Sequence, residues 1–255
     1  GYDGPVRIPR LPLILVTVLA VLLGVGWLGD SIAASRVERN ISAQVEDVAR
    51  LEVSPSVYVG GVPYLLALFT GEIPSVEVTA LDVDVAGLGM VNATTRVKQV
   101  TVTPEQVRSG DIEGAPAELM SRTIGLDGVS FGHLLDMTDL DIANPYDISP
   151  AGGSVTEAQL TGTPPGFEDP VSVVVSLRLV GEMFHMEPMT LVDAPTGRED
   201  DVRAAFTYSL DTRRLPLAGR ASSVVLGGGS IYFEAQRHNV RVRVVDLSPV
   251  EVTRP

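Results

Sequence analysis

Hydrophobic and polar positions divide the chain near residue 29. From Leu11 to Leu28 the run LPLILVTVLAVLLGVGWL carries no charge and one hydroxyl residue, Thr17. As an α-helix it would extend about 27 Å, close to the hydrocarbon thickness of a bilayer. Nothing later in the chain repeats that pattern. Beyond it, Ile32, Val37, Ile41, Val45 and Val48 form one apolar stripe, with Arg36, Glu38, Arg39, Gln44, Glu46 and Asp47 away from it. That spacing predicts an amphipathic helix over 31–51, capped by Asp30 or Ser31 and continuing from the apolar run. Ser54-Pro55 ends it.

The period then shortens. Val57-Tyr58-Val59 is extended, and Gly60-Gly61 is a turn. Pro63 opens the apolar run Tyr64-Leu65-Leu66-Ala67-Leu68-Phe69, a short helix that Gly71 closes. From Val76 the alternation is that of a strand, with Val76, Val78 and Ala80 against Glu77 and Thr79. Leu81, Val83 and Val85 continue it one position out of phase, which predicts a β-bulge at Ala80-Leu81. Residues 96–103 continue as strand. Thr103-Pro104-Glu105-Gln106 is a capping box, and its helix stops at Ser109-Gly110. Further short helices are predicted over 116–125 and 130–135. In the last third, Val171 to Leu179, Val202 to Leu210, Ile231 to Ala235 and Val240 to Val244 alternate as antiparallel strands, with an exposed loop over 193–201. The predicted fold class is α+β: a single N-terminal transmembrane helix, a few short helices and a long curved antiparallel sheet. It divides into a leader (1–10), an anchor (11–29) and one α+β domain (30–255).

Flanking charge orients the anchor. Arg7 and Arg10 precede the apolar run and Asp30 follows it, so the positive-inside rule puts the N-terminus in the cytoplasm and the bulk of the chain on the periplasmic side. Trp27 then falls at the outer interface. Ser31-Ile32-Ala33 could serve as a signal-peptide cleavage site, but the apolar run exceeds a signal core and favours a retained anchor. The chain has no cysteine, which excludes disulfides, thiolate metal sites and a Cys nucleophile. A net charge of −13 argues against nucleic acid and against broad adhesion to anionic lipid. Any lipid contact outside the anchor should therefore be apolar and enclosed.

Chemistry-bearing motifs are sparse. His133, His185 and His238 include no pair at the spacing of a helical metal site. Gly87-Leu88-Gly89 and Gly227-Gly228-Gly229 lack the strand-to-helix context of a phosphate loop and read as turns. Asp136, Asp139, Asp141 and Asp147 form an acidic turn without the Gly and distal Glu of a calcium loop. Asn40-Ile41-Ser42 and Asn92-Ala93-Thr94 match the N-glycosylation pattern, the first within a predicted helix. No nucleophile elbow is present. These observations point to no enzyme, no cofactor and no metal.

The run GVPYLLALFTGEIPSVEVTALDVDV, residues 61–85, has a Gly-x-Pro start at Gly61-Val62-Pro63, an apolar short helix, Gly71 and alternating strand from Val76. With the single N-terminal hydrophobic segment, the helix after it and a cysteine-free β-rich remainder, it resembles the actinobacterial cell-envelope family of the lipomannan elongation factor LmeA, defined by a domain of unknown function. The resemblance spans residues 31–250. It implies a tubular lipid-binding fold, a highly curved sheet rolled around a long helix and enclosing an apolar tunnel. It also implies binding of phosphatidylinositol-type lipids or their mannosides in the periplasm, without catalytic residues. The long anchor departs from a freely diffusing carrier.

From the residues themselves, an apolar groove bounded by the 32–48 stripe, the 64–69 run and one strand face would bury acyl chains, at about 0.8 kcal/mol per CH₂. The candidate lipid-binding residues are Ile41, Val45, Val48, Tyr64, Leu65, Leu68 and Phe69. The expected function is a membrane-anchored periplasmic protein that binds or transfers a phospholipid or glycolipid. The alternative is a non-catalytic accessory subunit docked to other membrane proteins through its helix. A tunnel and a packed core both place apolar residues on one face, so the pattern leaves them equivalent.

Overall fold

One uninterrupted helix, α1 (Arg10–Ala49), carries both predicted N-terminal segments. Its 40 residues extend about 60 Å. The computed structural model describes residues 10–51, 53–145, 157–217 and 219–249. The leader before Arg10, with Arg7, and Asp147 lie outside the described residues. Burial splits the helix at Asp30. Every residue from Ile14 to Gly29 is exposed. From Asp30 onward one stripe is buried: Asp30, Val37, Ile41 and Val45, with Ala33 and Ala34 packed beside them. Ile32 and Val48, expected on that stripe, are exposed. They sit at the edges of a face whose true spacing runs 37, 41, 45.

The remaining elements follow in order: β1 (Ser56–Gly60), a 3-10 turn (Tyr64–Leu66), α2 (Ala67–Thr70), β2 (Glu72–Val85), β3 (Gly89–Thr101), α3 (Pro104–Ser109), β4 (Pro116–Leu126) and α4 (Gly128–Leu134). Then come β5 (Asp141–Ala143), β6 (Glu157–Gly162), β7 (Val171–Val180), β8 (Met183–Asp193), α5 (Glu199–Ala205), β9 (Tyr208–Asp211), β10 (Ser223–Gly227), β11 (Ser230–Arg241) and α6 (Val244–Leu247).

The strands divide between two antiparallel sheets where one long sheet was expected. One has the order β1-β2-β3-β4-β11-β10, the other β5-β6-β7-β8-β9. The β2–β3 register shifts between Ala80 and Val83, at the predicted bulge. The capping box at Thr103 is formed in both directions, and Gly110 ends α3 in the left-handed conformation that its helix stop requires.

Three elements differ from expectation. Residues 116–126 are strand, not helix, because β4 is paired on both sides, with β3 and with β11. The Ala, Glu, Leu and Met of this segment favour helix intrinsically, and two ladders of backbone hydrogen bonds override that preference. Residues 199–205 are helix, with Glu199, Asp200 and Asp201 in the first turn, where the helix dipole favours negative charge. Val244 lies in α6 and not in a strand, since β11 stops at Arg241.

The six-stranded sheet is covered on one face by two different partners. At one end α1 packs on it, burying Val37, Ile41 and Val45 against Ile73, Val76, Val97, Val100 and Met120. At the other end the five-stranded sheet packs on it, and Phe184, Val173 and Leu160 meet Phe233, Ile124 and Val91. Between the two cores runs a polar seam. Arg122 Nε donates to Thr95 Oγ1 at 3.3 Å, and its Nη2 donates to Asp246 O at 3.1 Å. Thr95 Oγ1 donates to Ser248 O at 3.0 Å, so the segment after β11 is clasped across the sheet. Burial pushes the Asp246 carboxyl up, but its hydrogen bonds from Arg243 and the charges of Arg237, Arg243 and Arg122 outweigh this and hold it below the usual range.

Candidate functional site

The apolar run 64–69 does not form one helix. Tyr64–Leu66 is a 3-10 turn and Ala67–Thr70 is α-helical, and Gly71 closes the pair at φ +69°. A 3-10 turn that follows Pro63 has backbone donors with no partner of its own. Asp30 supplies it. Its Oδ2 accepts from Tyr64 N at 2.9 Å and its Oδ1 from Leu65 N at 2.7 Å. The expected cap thus serves a different helix. Because α1 never breaks, its own amides near Asp30 are satisfied internally, and the carboxylate turns to orphan donors 34 and 35 residues away.

Tyr64 is buried beneath this clamp, and its hydroxyl donates to Val107 O at 2.9 Å. Burial, and then the charge of Asp30, push its phenol up to about 12. An unfolded tyrosine loses its proton near 10. Folding stability should therefore fall as pH rises from about 10 to about 12, because only the unfolded chain ionises readily in that window. Tyr64→Phe should flatten that alkaline decline, read as denaturation midpoint against pH.

Beside the clamp lies a groove of about 290 Å³, lined by residues of 60–64, by Leu66, Ala67 and Thr70, and by Glu72, Ile73 and Pro74. Its walls are the turn after β1 and the start of β2, held together by the Gly60–Ser75 pairing. A Cβ at Gly60 would run into the Ser75 hydroxyl, and one at Gly61, whose φ is +108°, would meet Pro74 Cδ at 3.0 Å. The glycine pair thus permits the close approach that shapes the groove. Glu72 is the one charged residue of the lining.

The seven predicted lipid-binding residues fall into three groups. Tyr64 lines the groove. Ile41 and Val45 lie buried in the α1–sheet core, with Leu65 and Leu68 half-buried against it. Phe69 and Val48 are exposed. Sequence reasoning missed Val62 as a lining residue, named Leu66 only as part of the 64–69 run that bounds the groove, and missed Ile73 in the lining and Asp30 as the tether. The signal for the first two was their place beside Pro63 within an uncharged stretch. Asp30 offered a signal only as a carboxylate that falls on the buried stripe of its helix.

Several of the other candidates are engaged structurally. Asp139 accepts from Thr163 N and Oγ1 at 2.8 and 2.7 Å, bonds that hold its carboxyl below the usual range. His185 bonds Ser209 Oγ at 3.0 Å, and His133 and His238 are exposed. Asn92 Oδ1 accepts from Asp82 N at 3.1 Å. Both glycine runs are hairpin turns, between β2 and β3 and between β10 and β11. Among the described residues, no group of three or more His, Asp or Glu side chains could hold a metal ion.

A family model described as LmeA-like phospholipid-binding matches residues 28–236. No curated protein and no solved structure matches the chain. The matched stretch begins where the apolar run ends and includes the Asp30 clamp and the whole groove. With four-fifths of its length matched, the chain belongs to the LmeA-like phospholipid-binding family.

Proposed function

We propose that this protein is a membrane-anchored phospholipid holder of the cell envelope, with α1 crossing the bilayer and the sheet domain on its periplasmic side. The observation that carries this is the groove of residues 60–74, placed by Asp30 against the point where α1 becomes wholly exposed and apolar. The helix is long and apolar enough to cross a membrane. A volume of about 290 Å³ is at the lower edge of the roughly 300–1,000 Å³ usual for ligand pockets. It suits part of one acyl chain, with the rest of the lipid outside. Tyr64 would meet that chain directly and Phe69 would flank it. Ile41, Val45, Val48, Leu65 and Leu68 would join the site where the sheet rolls around α1 and encloses a tunnel, the arrangement the family resemblance implies. The headgroup proposed is of the phosphatidylinositol type or its mannosides, bound without catalysis.

Native mass spectrometry of the full-length protein from its own membrane tests this reading. A bound phospholipid of defined mass is expected. A lipid-free chain travelling with fixed partner subunits would replace the reading with that of an accessory subunit.

A further inference from the structure

Side chains of α1 hold the segment after it in reverse order. Ser42 Oγ donates to Pro55 O at 2.7 Å, Glu38 Oε1 accepts from Val59 N at 3.0 Å, and Asp30 accepts from Tyr64 N and Leu65 N. β1 therefore runs back along the helix toward its apolar half, and the chain turns round beside the last buried residue. At 1.5 Å per residue, Trp27 and Leu28 lie only about 3–5 Å further along the axis. From this turn protrude Val62, 81% exposed, Leu66, 49%, and Phe69, 87%. No charge occurs between Gly60 and Gly71, in a chain of net charge −13. An acidic domain is repelled by anionic headgroups, so an uncharged apolar tip is the part of its surface suited to lie on a bilayer.

We infer that Val62, Leu66 and Phe69 insert into the leaflet from which α1 emerges, so that the groove opens at the boundary of acyl chains and headgroups, with Glu72 of its lining kept at headgroup level. This rests on the anchored lipid-holder reading above. The occupant of the apolar tip is then the hydrocarbon of the protein's own membrane. A lipid could pass into the groove without crossing the aqueous phase, and the anchor would set the depth of the mouth.

The absence of cysteine allows a direct test. Val62→Cys, Phe69→Cys and Val53→Cys would each be made in the full chain and labelled with a nitrobenzoxadiazole probe. Each would be reconstituted into phosphatidylcholine–phosphatidylglycerol vesicles with and without acyl-chain nitroxides. Val53 is the comparison site, 74% exposed and just beyond the opposite end of α1. Probes at 62 and 69 are expected to emit to the blue of the probe at 53. Their nitroxide quenching should be roughly threefold stronger or more, as for groups about 5–10 Å into the headgroup–acyl boundary. Emission and quenching at 62 and 69 equal to those at 53 would overturn the insertion. Mass spectrometry of lipid retained by the same samples separates the two readings. Retained lipid with water-exposed probes removes the insertion alone, and quenched probes without retained lipid remove the holder function alone.

Discussion

Phe184→Ala is expected to lower the unfolding free energy by about 3–5 kcal/mol. Phe184 is fully buried between the two sheets and is the centre of an aromatic chain. Its ring meets Phe233 at 5.0 Å and 84°, and Phe131 at 6.4 Å and 78°; Phe131 in turn meets Tyr208 at 6.4 Å. Truncation loses the transfer free energy of the ring, both edge-to-face contacts and the dispersion of atoms left facing a void. Against a total stability of about 5–15 kcal/mol for a typical domain, that is a large fraction. Guanidinium unfolding of the detergent-solubilised chain should show a lower midpoint at unchanged slope. The same variant bears on where lipid sits. If the space between the sheets is a packed core, as its filled aromatic centre indicates, lipid retained by the folded protein stays at the wild-type level. A near-wild-type midpoint with more lipid bound would instead place a lipid channel between the sheets.

Asp30→Ala is expected to release the groove from α1. The carboxylate is 7% exposed and accepts two short hydrogen bonds from the first amides of the 3-10 turn. Hydrogen bonds to charged groups contribute about 1.5–3 kcal/mol each, and the two are not independent, so a loss of about 2–4 kcal/mol is expected. The loss is local, because Tyr64 and Leu65, which Asp30 holds, pack in the α1–sheet core and not between the sheets. Hydrogen exchange should therefore accelerate across residues 62–70 and stay unchanged in β7. Asp30→Asn keeps one carbonyl oxygen and should retain part of the protection. Wild-type exchange over 62–70 in Asp30→Ala would show that the turn is held by its apolar contacts alone. Where exchange does accelerate, retained phospholipid should fall with it, since the groove wall is the segment released.

Local signals were legible wherever they were complete within a few residues. The capping box at Thr103 needs only the residues from Thr103 to Gln106, and it formed as expected. Gly71 closes α2, and the phase slip at Ala80 became a register shift. The 202–210 segment shows why other signals misled. Val202, Phe206 and Leu210 satisfy a period of two and a period of four alike. Ala204 decides between them: it is exposed, so the segment turns as a helix before β9 begins. In β4, Ser121 and Arg122 are buried polar residues that interrupt the alternation a strand would show. Their burial depends on Thr95 and on the segment after β11, which no local window contains.

The candidate site divides in the same way. That residues 61–71 are uncharged, apolar and bounded by glycine, and that a helix long enough to span a bilayer precedes them, is legible in the residues alone. So is the family resemblance that the family match then established. That Ile41 and Val45 face a packed core, that Phe69 faces outward, and that the groove lies at the end of the exposed half of α1 emerges from the packing of distant segments. Periodicity tells how many faces of an element are apolar, and it is silent on what meets each face. A carboxylate on a buried stripe must find donors, and which donors it finds depends on how residues 34 and 35 positions away come back past it.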